Sequence, residues 1–158
     1  MNAMQFAGAV IRRAGSLPFT RQLMYGEAVA RLIGAWVLVR LVPYRLWRGV
    51  LGQLGDSNPN AISNDATAEI AVHIASLHFV LHRIFGTRFT CLMLALSARG
   101  MLKARGVPSR LVLGVNRKPT ERAASKLGAH AWVTCGDIEI IGHEGNDTFI
   151  PVAEYYDY

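Results

Sequence analysis

From Arg21 to Leu54 apolar positions recur at helical spacing: Leu23, Ala28, Leu32, Ile33, Trp36, Val39, Leu41 and Trp47, with Arg31, Arg40, Arg45 and Arg48 between them. Pro43 lacks the N–H that a helix interior needs, so the pattern predicts two helical pieces. The longest uncharged run inside it, Leu32 to Val39, falls far short of the ~18 residues that span a bilayer. Gly49 to Asn64 concentrates Gly, Asn, Asp and Pro and reads as a linker. Ser63, Asn64 or Asp65 then caps a second helix running to about Phe85. Its apolar stripe is Ile70, Ile74, Leu77, Val80, Leu81 and Ile84, and His73, His78 and His82 fall elsewhere on it.

The next helix opens at Cys91, with Thr90, or Thr87 a turn earlier, as its N-cap. Lys103 and Arg105, then Gly106 and Pro108, mark its end. Apolar residues go nearly all the way round it, which predicts burial against a sheet. Arg110 to Val115 reads as a strand, and Ala129 to Cys135 alternates, with His130, Trp132 and Thr134 on one face. Gly136-Asp137 predicts a turn before Ile138 to Ile141. Phe149 to Val152 predicts an edge strand, because Pro151 has no N–H for an interior ladder, and Glu154 to Tyr158 a partly ordered end. The pattern is that of an α+β chain.

Composition narrows the class. The 158 residues are enough for one domain with a real core, and 51% hydrophobic against 18% charged excludes disorder. The formal net charge of +6 favours acidic partners, such as an acidic leader peptide, a carrier protein, an anionic membrane or nucleic acid. Two cysteines, Cys91 and Cys135, make no disulfide framework and suit a reduced, cytoplasmic compartment. Met1 to Pro18 lacks the apolar core and cleavage site of a signal peptide. His78 and His82 lie four apart without an HExxH pattern or third ligand, so they read as a solvated or partner-facing pair. With no P-loop, dinucleotide fingerprint or zinc spacing, no cofactor and no metal are expected.

The candidate chemistry is that of a thiol. Only the thiolate is a good nucleophile, and the unpaired N–H groups and partial positive charge of a helix N-terminus stabilise it. Cys91 stands where that help is available. His130, on a sheet whose edge faces this helix, is the candidate base, and Cys135 reads as an inert buried thiol.

Cys91 opening its helix, the run Arg-Gly-Val-Pro-Ser-Arg-Leu-Val-Leu-Gly-Val from Arg105 to Val115, the Ala-His-Ala-Trp-Val run from Ala129 and the hairpin after it resemble one family. It is that of the transglutaminase-like cysteine peptidases that remove the leader from lasso-peptide precursors. The resemblance covers roughly Leu77 to Phe149, with weaker similarity near Trp36 to Arg48. It implies a papain-like or transglutaminase-like α+β core, with N-terminal helices and a Cys-bearing helix on a small antiparallel sheet. Residues 1–55 would form an N-terminal helical region and 56–158 the peptidase core of a single compact domain.

The resemblance also implies roles. Cys91 attacks the scissile carbonyl, and His130 takes the thiol proton and returns it to the leaving amine. The family's aspartate, which orients the imidazole, is expected about twelve positions past the histidine, where this chain has Gly142. If the hairpin centres on Gly136, His130 pairs roughly with Gly142, and Glu144 shares its face and becomes the favoured third residue. Asp137, which suits the turn itself, Asp147, an amide or a backbone carbonyl are the alternatives.

Implied partners are the lasso precursor, a separate small leader-recognition protein and an asparagine-synthetase-like cyclase, not nucleic acid. The basic loop from Asn116 to Leu127 is a solvated segment by the plainest reading, or a border of the peptide groove. The arginine- and tryptophan-bearing N-terminal region is expected to pack on the core, with partner docking or a membrane surface as further readings. Two rival functions remain at this level: acyl transfer to an amine by the same Cys and His chemistry, and a non-catalytic scaffold holding precursor and cyclase.

Overall fold

The computed structural model describes residues 19–55, 65–116, 128–142 and 149–157. Helix α1 runs Phe19–Leu41, and Pro43 then begins a separate short α2, Tyr44–Trp47, followed by a 3-10 turn over Arg48–Leu51. α3 is Asp65–Phe85 and α4 is Cys91–Lys103. The strands are β1 Gln53–Leu54, β2 Ser109–Asn116, β3 Ala129–Cys135, β4 Ile138–Ile141 and β5 Phe149–Asp157. They make one antiparallel sheet in the order β1-β5-β2-β3-β4. The architecture is α+β, as the sequence pattern predicts.

α4 is the centre of the molecule, with Met93 to Ala95, Ala98, Met101 and Leu102 buried. It packs on α1 through Ala28, Leu32 and Ala35, which are buried at i, i+4 and i+7 on one face of α1. On its other side it meets Leu111, Ala131, Val133 and Cys135, the inward faces of β2 and β3. Each fully buried Leu or Ile contributes about 1.5–3 kcal/mol relative to exposure, so this three-layer contact supplies much of the stability. Its C-terminus closes as the sequence indicates. Gly106 has φ +64°, Val107 N donates to Leu102 O at 3.0 Å, and Gly106 N donates to Lys103 O at 3.0 Å.

By length and composition α3 is apolar enough to cross a membrane, and here Ala71, Ile74, Leu77, His78 and Leu81 are buried as it packs on α4 and β4. His78 is therefore neither solvated nor a ligand. Its Nδ1 donates to Ile74 O at 2.9 Å, and its Nε2 lies 3.0 Å from Ser97 Oγ on α4, which is also 3.2 Å from Ala28 O on α1. Three helices are joined through that one hydroxyl. Among the described residues no group of three or more His, Cys, Asp or Glu side chains is placed to hold a metal.

Two segments differ from expectation for the same reason. Gln53 and Leu54, inside the apparent linker, pair with Tyr156 and Tyr155, inside the apparent loose end. Neither stretch carries a strong strand pattern, and only the tertiary pairing selects them. β5 consequently lies between β1 and β2, and its Pro151 is tolerated beyond the two-residue reach of β1, beside a register shift at Leu113/Gly114. The far end of β5 is locked by Asp157, whose carboxylate meets Lys103 at 2.7 Å and the buried Arg99 at 3.2 Å. Arg99 also donates to Leu51 O. Gly52, φ +97°, leaves the space that its guanidinium occupies.

Candidate active site

Cys91 is the first residue of α4. The preceding Thr90 has extended backbone angles, and its hydroxyl accepts from Met93 N at 3.4 Å, an N-cap that satisfies one donor of the first turn. Cys91 thus stands at the positive end of the helix, where first-turn N–H groups lack intrahelical partners. Thr90 is exposed and Cys91 is half-buried. Cys135 contrasts with it: it is buried in the core, and burial pushes its thiol up, away from the reactive form.

His130 is the second residue of β3, and its ring is half-buried between two aromatics. Trp132 stacks on it with centroids 5.9 Å apart, and Phe149 of β5 lies at 4.9 Å. Nε2 is 3.0 Å from the carbonyl oxygen of Gly142. A carbonyl only accepts, so Nε2 carries the proton and Nδ1 is left with the lone pair. Phe149 was not legible as a site residue, since its approach to His130 follows from the pairing of β5 with β2.

Gly142 stands where the family resemblance leads one to expect an aspartate. Its φ is +96°, and a Cβ there would lie 2.5 Å from Trp132 Cβ, so this backbone has no room for a side chain at 142. The peptide itself supplies the acceptor instead. The expected pairing is also shifted: an irregularity between Val133 and Thr134 sets Val133 opposite Ile141, and position 142 is taken up against Trp132. Asp137 is exposed in the β3–β4 turn. Glu144, Asp147 and the basic loop over 117–127 lie outside the described residues.

The relation of thiol to imidazole follows from the packing. Arg99 and Lys103, in the second half of α4, reach Asp157, which pairs with Ser109 at the start of β2. Cys91 lies eight residues before Arg99 on the helix, about 12 Å back along its axis, toward the end of the sheet where β3 begins and His130 sits. Strand alternation gives Ala131 and Val133 to the α4 side and His130 with Trp132 to the other face. The two groups thus share an end of the sheet but stand on opposite faces, and among the described residues no hydrogen bond joins them.

Helices α1 and α3 pack around α4, which Cys91 opens, and β3 carries a histidine oriented by an acceptor on the next hairpin arm. The family model of the transglutaminase-like superfamily matches residues 29–154, from within α1 through β1 to β4 and into β5. No curated protein and no solved structure gives a significant match to the chain. The match covers most of the sequence, and the chain belongs to the transglutaminase-like superfamily.

Proposed function

We propose that this chain is a cysteine peptidase that removes the leader from a lasso-peptide precursor. Membership of the superfamily is consistent with cysteine peptidase or acyltransferase chemistry. The observation that carries the thiol reading is the position of Cys91, half-buried as the first residue of a capped and largely buried helix. The leader-peptidase reading rests on the residue runs around Cys91, Arg105–Val115 and His130.

In this reading the Cys91 thiolate adds to the scissile carbonyl, and the S–C bond forms as the C–N bond breaks. His130, its Nε2–H held by Gly142 O, presents Nδ1 to take the thiol proton and to pass it to the departing amine. Water then hydrolyses the thioester, returning the thiol and a leader carboxylate. Because the two groups stand on opposite faces of the sheet, this reading requires substrate binding to bring the imidazole round the end of β3 to the thiol. The freed core amine is the group that an asparagine-synthetase-like cyclase takes up, a separate leader-recognition protein presents the precursor, and the setting is cytoplasmic.

The test is mass spectrometry of a lasso-type precursor incubated with this protein and a leader-recognition protein. Two fragments from wild type and none from Cys91→Ala establish the peptidase. A new amide on the leader side in place of a free acid identifies acyl transfer. The placement of His130 on the face away from α4 favours one further reading, a scaffold that binds precursor without cutting it. Tight precursor binding with no cleavage by either protein would decide for that one.

A further inference from the structure

A cavity of about 480 Å³ opens immediately before the thiol, walled by Ile33 and Trp36 of α1 and by Phe85, Arg88 and Phe89 of the α3–α4 connection. Phe85 and Phe89 meet edge to face at 5.4 Å, which fixes two of its walls. Ile33 and Trp36 are 53% and 39% exposed, an apolar surface that folding leaves uncovered. Phe89 is two residues from Cys91, and two residues of chain span at most about 7 Å. A peptide whose carbonyl lies on the Cys91 sulfur brings a side chain one or two positions from that carbonyl over the same distance. Arg88, exposed, adds a positive charge to the wall.

Resting on the thiol reading of Cys91, we propose that this cavity is the specificity pocket of the site. It takes a large apolar side chain, aromatic by preference, of the peptide beside the bond attacked by Cys91, and Arg88 holds a carboxylate on the neighbouring residue. Trp36 and Phe89 are the residues that set the preference. An apolar pocket separates a fitting side chain from its absence by about tenfold or more in rate, which is the size of effect to look for.

The test uses the full chain and reagents that need no knowledge of the natural substrate. Alkylation of Cys91 is followed by intact mass with iodoacetamide, N-acetyl-glycyl chloromethyl ketone and N-acetyl-phenylalanyl chloromethyl ketone. In the ketones the thiolate forms an S–C bond as chloride leaves. The phenylalanyl reagent is expected to outrun the glycyl one by about tenfold, and that ratio to collapse in Trp36→Ala and in Phe89→Ala. Ile33→Ser, at an exposed position, repeats the test where folding is least at stake, and thermal melts verify each variant. A Glu-Phe reagent should exceed a Lys-Phe reagent in wild type and lose that lead in Arg88→Ala.

Rapid iodoacetamide alkylation with equal glycyl and phenylalanyl rates, or a ratio that survives all three pocket variants, overturns the pocket and leaves the thiol reading standing. Alkylation of Cys91 by every reagent no faster than free cysteine overturns the thiol reading itself.

Discussion

His130 donates from Nε2 to the carbonyl oxygen of Gly142 at 3.0 Å, so the peptide of a glycine does what a carboxylate side chain is expected to do in this family. The ring is oriented and its tautomer fixed, but no negative charge stands behind it from Gly142.

Gly142→Ala is therefore expected to lower both stability and activity. The left-handed φ and the contact with Trp132 act together, at about 2 kcal/mol or more, and the shift moves the acceptor away from His130. Gly142→Asp should fare no better, because the added carboxylate meets the same backbone. Chemical denaturation and precursor cleavage check both, and a fully active Gly142→Asp enzyme would remove this account of the site.

Thr90→Ala removes the cap of the helix that presents the thiol. A loss of about 1 kcal/mol is expected from the unsatisfied first-turn donor, together with slower alkylation of Cys91. Thr90→Ser keeps the acceptor and should restore both, measured by urea titration and by iodoacetamide kinetics.

The pH dependence of stability should carry the signature of His78. Burial holds its ring below the ordinary value of 6.5, so the folded chain refuses a proton that the unfolded chain accepts. Its contribution is complete above about 6.5 and is lost as pH falls toward the lower folded value, at up to about 1.4 kcal/mol per pH unit. Denaturation midpoints at a series of pH values below 7 should show this slope in wild type and a flatter one in His78→Gln. Equal slopes would assign the effect to other groups.

Asp157→Asn leaves the guanidinium of Arg99 buried without its counter-charge. Its side chain is only 2% exposed, so the cost is expected near 3 kcal/mol. Thermal unfolding of Asp157→Asn, set beside the milder Lys103→Ala on the exposed arm of the same pair, separates buried from surface charge.

What was legible in the sequence is what is encoded locally. α4 begins at Cys91 and closes just before Gly106 because Thr90, the apolar run and the glycine sit within a turn of the atoms they serve. β3 and β4 follow from alternation and a two-residue turn. Local signals failed where a segment's partner is distant. Gln53 and Leu54 look like linker until Tyr155 and Tyr156 pair with them, and the bulge at Val133/Thr134, which spoils the expected pairing of His130 with Gly142, leaves no mark in the residue pattern. His78 reads as solvated or partner-facing in the sequence and is buried in the fold because its partner, Ser97, lies on another helix.

The position of β5 between β1 and β2 sets an order of events during synthesis. Gln53 emerges from the ribosome 103 residues before Tyr156, its partner, and β2 shows a bare edge until Phe149–Asp157 follows. Until then the nascent chain carries an unpaired strand beside exposed apolar surface, the condition that invites pairing with a neighbouring chain. Asp157, clamped by Arg99 and Lys103, ends that exposure once the strand arrives.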